Sequence, residues 1–145
     1  MKKYLVVCFT IIMISIVTGC GSNKTLKCSK EDNSSIMNKK ETYTITFKKD
    51  TITKVEYIED IAVAENYSVY IQQLEESLKG VFTGFEGMNG FEVTSTTDKN
   101  NIKIAVNIDL SKMDEASKKS LDIVDTKQNF NDAKQTFEKQ NYQCK

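Results

Sequence analysis

The sequence predicts an α+β fold: a twisted antiparallel sheet with one long amphipathic helix packed on its apolar face. Three observations lead to it. Residues 41–48 read ETYTITFK, with Tyr43, Ile45 and Phe47 on one side and Thr42, Thr44 and Thr46 on the other, the period of two that marks a half-buried strand. Lys49-Asp50 supplies a turn, and residues 51–59, TITKVEYIE, return as the second arm of a hairpin, which imposes antiparallel pairing. Tyr67, Tyr70, Ile71, Leu74, Leu78, Val81, Phe82 and Phe85 then recur at spacings of three and four, the signature of an amphipathic helix.

The remaining elements follow in order. Residues 25–29 read as a short first strand, and 31–40, EDNSSIMNKK, as the most loop-like interior segment. Gly84, Gly87 and Gly90 break up the helix, after which Phe91 and Val93 open another strand. Residues 98–101 turn it, and Ile102, Ile104, Val106 and Ile108 alternate with Lys103, Ala105, Asn107 and Asp109. Ser111 begins a short helix with Asp114 in an approximate capping box, and Leu110, Met113 and Leu121 are candidates to face inward. Asn129 caps a second short helix lined by Phe130, Ala133 and Phe137, and residues 142–145 close as a strand carrying Cys144. The order is βββ-α-ββ-αα-β, and a length of 145 residues fits one domain.

The N-terminal region carries an address. Met1-Lys2-Lys3 is a positive start, and residues 4–17 are an uncharged run of 14, the length of a signal-peptide core and short of the roughly 20 residues that span a bilayer. Val17-Thr18-Gly19-Cys20 follows and resembles the lipobox of bacterial lipoproteins. That resemblance implies cleavage before Cys20 and a diacylglyceryl thioether on its sulfur. Residues 1–19 are then a removed signal peptide, 20–24 a short lipidated tether and 25–145 a single globular domain. Cys8 falls in the discarded part, which leaves Cys28 and Cys144 of the 4 cysteines. An exported pair meets an oxidising compartment, so a disulfide closing almost the whole domain is expected. The alternative is two buried free thiols packed as small hydrophobes.

Composition excludes several chemistries. The chain has no His, hence no general base poised near neutral pH and no imidazole metal ligand. All 20 basic residues are Lys, so no planar fork grips phosphate, and 20 acids balance them; nucleic acid is not an expected partner. Residues 98–109 place acids at both ends of a 12-residue window, but Ile102 and Lys103 stand where a calcium loop needs an oxygen ligand and a glycine. No nucleophile elbow or phosphate loop occurs, and no metal or other cofactor is implied. Residues 80–90, GVFTGFEGMNG, set Phe82, Phe85 and Met88 among glycines. They read either as an apolar contact loop or as the last core turn of the helix.

The stretches TYTITFKKDTITKV and VDTKQNFNDAKQTFEKQNY, the Tyr-bearing helix and the lipobox together resemble the YehR-like bacterial lipoproteins, over about residues 25–145. The resemblance implies a small exported α+β lipoprotein and brings no catalytic residue with it. The expected function is a membrane-anchored extracytoplasmic lipoprotein, a non-catalytic binding or envelope-support module. Its partners would be the membrane, through the lipid anchor, and an envelope protein or small ligand. The alternative is a small-ligand carrier with a pocket between helix and sheet; an enzyme acting on envelope polymers through carboxylates ranks third.

Overall fold

In the computed structural model, residues 23–121, 123 and 126–145 are described. The expected signal peptide and the lipidation residue Cys20 lie outside the described residues. Strands β1 (Asn23–Asn33), β2 (Met37–Lys48), β3 (Thr51–Val63), β4 (Phe91–Asp98), β5 (Asn101–Asp109) and β6 (Gln143–Cys144) form a 6-stranded sheet in the order β4-β5-β3-β2-β1-β6. Every pairing is antiparallel. The helices are α1 (Ile71–Gly80), α2 (Glu115–Ser120) and α3 (Phe130–Lys139).

Register explains why one face carries the whole core. Leu26, Ile45, Val55, Ile108 and Phe91 lie in one cross-strand row, and Cys28, Tyr43, Tyr57, Val106 and Val93 in the next but one. Side chains alternate across a strand, so both rows point to the same side. Two clusters cover that side. Ile61, Val63, Ile102, Ile104 and Val106 are buried with Ile71 of α1, while Leu26, Cys28, Ile45 and Phe47 are buried with Ala133 of α3. Phe47 meets Phe130 edge-on at 5.7 Å. The other face presents rows such as Glu31, Lys40, Asp60, Lys103 and Thr96, polar in keeping with a solvated sheet face.

The single long helix expected over 67–85 is not present. α1 has 10 residues, preceded by a 3-10 segment at Glu65–Tyr70 and followed by another at Thr83–Phe85, and neither belongs to the expected element series. Tightening to three residues per turn rotates the stripe out of line, so Tyr70 and Val81 are 59% and 65% exposed despite their helical spacing. The second half of the sheet is covered by α3, also of 10 residues. Two short helices therefore share the face.

The first strand is longer than residues 25–29, and the expected loop over 31–40 is mostly strand. Glu31 faces Lys40, Asp32 faces Lys39 and Asn33 faces Asn38. Lys40 Nζ lies 2.7 Å from Glu31 Oε1, and Ser34 Oγ accepts the Met37 amide at 3.0 Å to close the turn. Cross-strand charge pairs on a solvated extension look like loop composition. The helix expected from Ser111 starts later: Asp109 holds Ser111, and Asp114 is itself the cap, accepting from the Ser117 amide at 2.7 Å. Asn129 caps α3 as expected, accepting from the Asp132 amide at 2.9 Å.

Cys28 and Cys144 form a disulfide, with S–S 2.03 Å and Cα–Cα 4.1 Å. Lys27 and Lys145 exchange both backbone hydrogen bonds, at 3.1 and 2.8 Å. The next pair along is therefore non-hydrogen-bonded, the position where opposed side chains come closest.

Candidate functional site

The two helix-covered clusters do not merge into one continuous core. Between them the sheet is floored by Val55, Val106 and Ile108, and aromatic walls rise on either side: Phe82, Phe85 and Phe91 toward α1, and Tyr43 toward α3 with Tyr57 stacked on its inner side, while Leu121 lies at the margin. These residues line an open groove of about 340 Å³, within the size range of small-molecule sites. Phe91 anchors one wall, packing against Phe85 at 5.6 Å and Phe82 at 6.5 Å between ring centres. Tyr43 anchors the other, 4.7 Å from Tyr57, 5.1 Å from Phe137 and 5.7 Å from Tyr142.

The glycine-rich stretch over 80–90 singles out Phe82, Phe85 and Met88. The structure brings Phe82 and Phe85 into the groove wall, both half-buried. Met88 is half-buried but does not line the groove; its backbone turns the chain, donating to the Phe85 carbonyl at 3.2 Å and accepting from the Phe91 amide at 3.1 Å. The sequence does not mark Tyr43 and Tyr57 as site residues. Their alternation assigns them to the covered face, and nothing in that pattern tells a covered aromatic from a groove-lining one.

A charged cluster borders the tyrosine wall. Glu41 and Glu59 stand opposite each other on β2 and β3. Lys39 Nζ lies 2.6 Å from Glu41 and 3.7 Å from Glu59, and the Tyr142 hydroxyl donates to the other Glu41 oxygen. Burial alone would raise the Glu41 carboxyl, but hydrogen bonds from Lys39 and Tyr142 outweigh it and hold the group below its ordinary value. The hydrogen bond to Glu41 raises Lys39 in turn. Burial, reinforced by these carboxylates, pushes Tyr43, Tyr57 and Tyr142 up. A carboxyl held ionised is a poor proton donor at neutral pH, so Glu41 is suited to fixing the wall rather than to acid catalysis. Among the described residues no group of three or more acids and cysteines is placed to hold a metal ion.

A larger hollow of about 470 Å³ lies at the far end of the sheet, where Lys40, Asp60, Asn101 and Lys103 contribute. Opposite charges alternate across its strands, and Lys40 is paired with Glu31. Its apolar lining is limited to Ile61, Ala62 and Ile102, and no aromatic side chain contributes to it. The aromatic groove is the better candidate.

Comparison with known proteins adds little beyond this geometry. No family model matches the chain, and no curated protein matches it. A solved structure described as the NMR structure of the protein from Streptococcus pneumoniae TIGR4 is similar over 84% of this chain and 80% of that chain, at 15% identity and a TM-score of 0.44.

Proposed function

We propose that the chain is a membrane-anchored extracytoplasmic lipoprotein of the YehR-like kind, that it binds rather than catalyses, and that its ligand is a small apolar molecule. The observation that carries the binding role is the groove of about 340 Å³ with aromatic walls on both sides. Such a site gains affinity from apolar area removed from water, and its sides are braced by ring contacts of Phe82 and Phe85 with Phe91 and of Tyr43 with Tyr57. The anchoring part draws support from the uncharged run over 4–17 followed by Val17-Thr18-Gly19-Cys20 and from the disulfide between Cys28 and Cys144, a bond characteristic of oxidising compartments. Among the described residues no helix is long and apolar enough to cross a membrane.

The test is a titration of residues 21–145 with the apolar dye 1-anilinonaphthalene-8-sulfonate, alongside the Val55→Phe variant, which fills the floor. The wild type is expected to brighten the dye saturably, and Val55→Phe to weaken binding several-fold while still unfolding cooperatively. No saturable signal in the wild type, or equal binding by the two proteins, removes the groove as a site.

A further inference from the structure

We infer that one particular end of the sheet, the end holding Asn23 and the β2–β3 turn, lies against an anionic bilayer surface through Lys24, Lys48 and Lys49. The inference rests on the acylation of Cys20 proposed above and goes beyond it by fixing which way up the domain stands.

Chain length gives the first argument. β1 begins at Asn23, three residues after Cys20, and three extended steps cover at most about 11 Å. The domain cannot swing away from its anchor; whatever surrounds Asn23 is held close to the headgroups. Register says what surrounds it. Lys48 is the cross-strand partner of Asn23, Lys24 pairs with Phe47, and Lys49 occupies the adjoining turn at φ 57°. Neighbouring strands are about 4.8 Å apart, so these lysines sit within roughly one Debye length, about 8 Å, of the anchored strand end. Thr51, which opens β3 beside them, bridges to Lys127.

Charge gives the second argument. The chain has no net charge overall, yet this corner is basic: Lys24, Lys48 and Lys49 are all exposed, and Asp50 is the one acid in the turn. Among the described residues, none of the three lysines has a carboxylate within ion-pair distance. At the opposite end Lys40 is tied to Glu31 at 2.7 Å, and Asp60 stands between Lys40 and Lys103. Three exposed lysines without carboxylate partners therefore gather where the anchor leaves the fold, whereas at the far end Lys40 is tied to Glu31 and Lys103 has Asp60 as its cross-strand neighbour. A lysine near an anionic leaflet strengthens attachment roughly five-fold, and the lipid anchor supplies the proximity that makes such weak contacts count.

The test uses the full mature acylated protein in vesicles of phosphatidylcholine alone or mixed with phosphatidylglycerol. Pulse labelling with an amine-reactive reagent and peptide mass spectrometry read each lysine, and intact mass on the same sample reads the acyl groups. Lys24, Lys48 and Lys49 are expected to label several-fold more slowly on the anionic vesicles, with raised salt restoring the rate, while Lys40 and Lys103 label equally on both. Equal rates at the two ends, or protection at Lys40 and Lys103 instead, overturn the orientation while leaving the anchor standing. A protein without fatty-acid mass on Cys20 overturns both. The triple variant Lys24→Gln/Lys48→Gln/Lys49→Gln, changed only at exposed sites, is expected to erase the difference between vesicle types in the labelling of the turn's neighbour Lys127. Persistence of that difference assigns the protection to a protein contact or another surface and rejects the inference.

Discussion

Gly90 shows how one residue holds two elements in place. It has φ 83°, and a Cβ there would come 2.5 Å from the Asp109 carbonyl oxygen and 3.0 Å from Met113 Cγ. The close approach is itself a tie, because the Asp109 amide donates to the Gly90 carbonyl at 2.7 Å. A backbone oxygen cannot move aside as a side chain can, so Gly90→Ala combines strain and clash. The conformation alone costs about 1–3 kcal/mol in a non-glycine residue, and the expected loss of stability is at or above the top of that range. Gly80 is the contrasting case: it ends α1 without a positive φ, and nothing lies within 4 Å of the point where a Cβ would stand. Gly80→Ala is expected to stabilise by about 0.4–1 kcal/mol through the unfolded chain. Urea midpoints of the two variants should move in opposite directions; movement in the same direction refutes the account of one of the glycines.

At the scale of elements, β6 depends on its covalent link. It has 2 residues, and besides the disulfide it is held by the Lys27–Lys145 backbone pair and by packing of Tyr142 on Phe137 at 5.3 Å. The bond joins positions 116 apart, and closing a loop of about 100 residues is worth up to about 4.7 kcal/mol in the chain-entropy treatment. Cys28→Ser/Cys144→Ser is expected to lower the melting temperature and to strip the Lys27 and Lys145 amides of hydrogen-exchange protection, while β2 and β3 amides keep their rank order. Unchanged protection at Lys145 would mean that the strand docks without the bond. What was legible in the sequence follows from the same physics. β2 and β5 declare themselves because each has one buried face, and the hairpin turn because exposed Lys49-Asp50 interrupts the alternation between two such strands. The strand extensions at 30–33 and 37–40 do not, because both of their faces are wet and only partner charges betray the pairing. The division of the helix into α1 and two 3-10 segments was hidden because spacings of three and four fit either geometry over a turn or two. The groove was half legible: Phe82 and Phe85 stood out among glycines, but Tyr43, Tyr57 and Leu121 become its walls only through long-range packing.

At the scale of the whole molecule, the absence of His and the pattern of shifted groups set the response to pH. Glu41, Glu75, Asp109 and Asp114 are all held low: Glu41 by Lys39 and Tyr142 against its burial, Glu75 down to about 2 by Lys79, Asp109 by Ser111, and Asp114 by the Ser117 amide. A depressed carboxyl contributes stability above its unfolded value near 4 that is lost as pH falls through its folded value. Lys39 and Tyr43, Tyr57 and Tyr142 are all raised, Lys39 by its bond to Glu41 and the tyrosines chiefly by burial. The native state therefore binds more protons than the unfolded chain above about pH 10, and stability declines there as pH rises. Between the two windows no side chain of the described residues changes its charge, because histidine is absent and Cys28 and Cys144 are joined. Thermal melts should trace a plateau from about pH 5 to pH 9 with a fall at each end. The alkaline fall should shrink in Tyr142→Phe, which cannot ionise and keeps its packing on Tyr43 and Phe137. A melting temperature that changes steeply between pH 6 and 8, or an alkaline limb untouched by Tyr142→Phe, would show that the Glu41–Lys39–Tyr142 cluster does not set the pH limits of the fold.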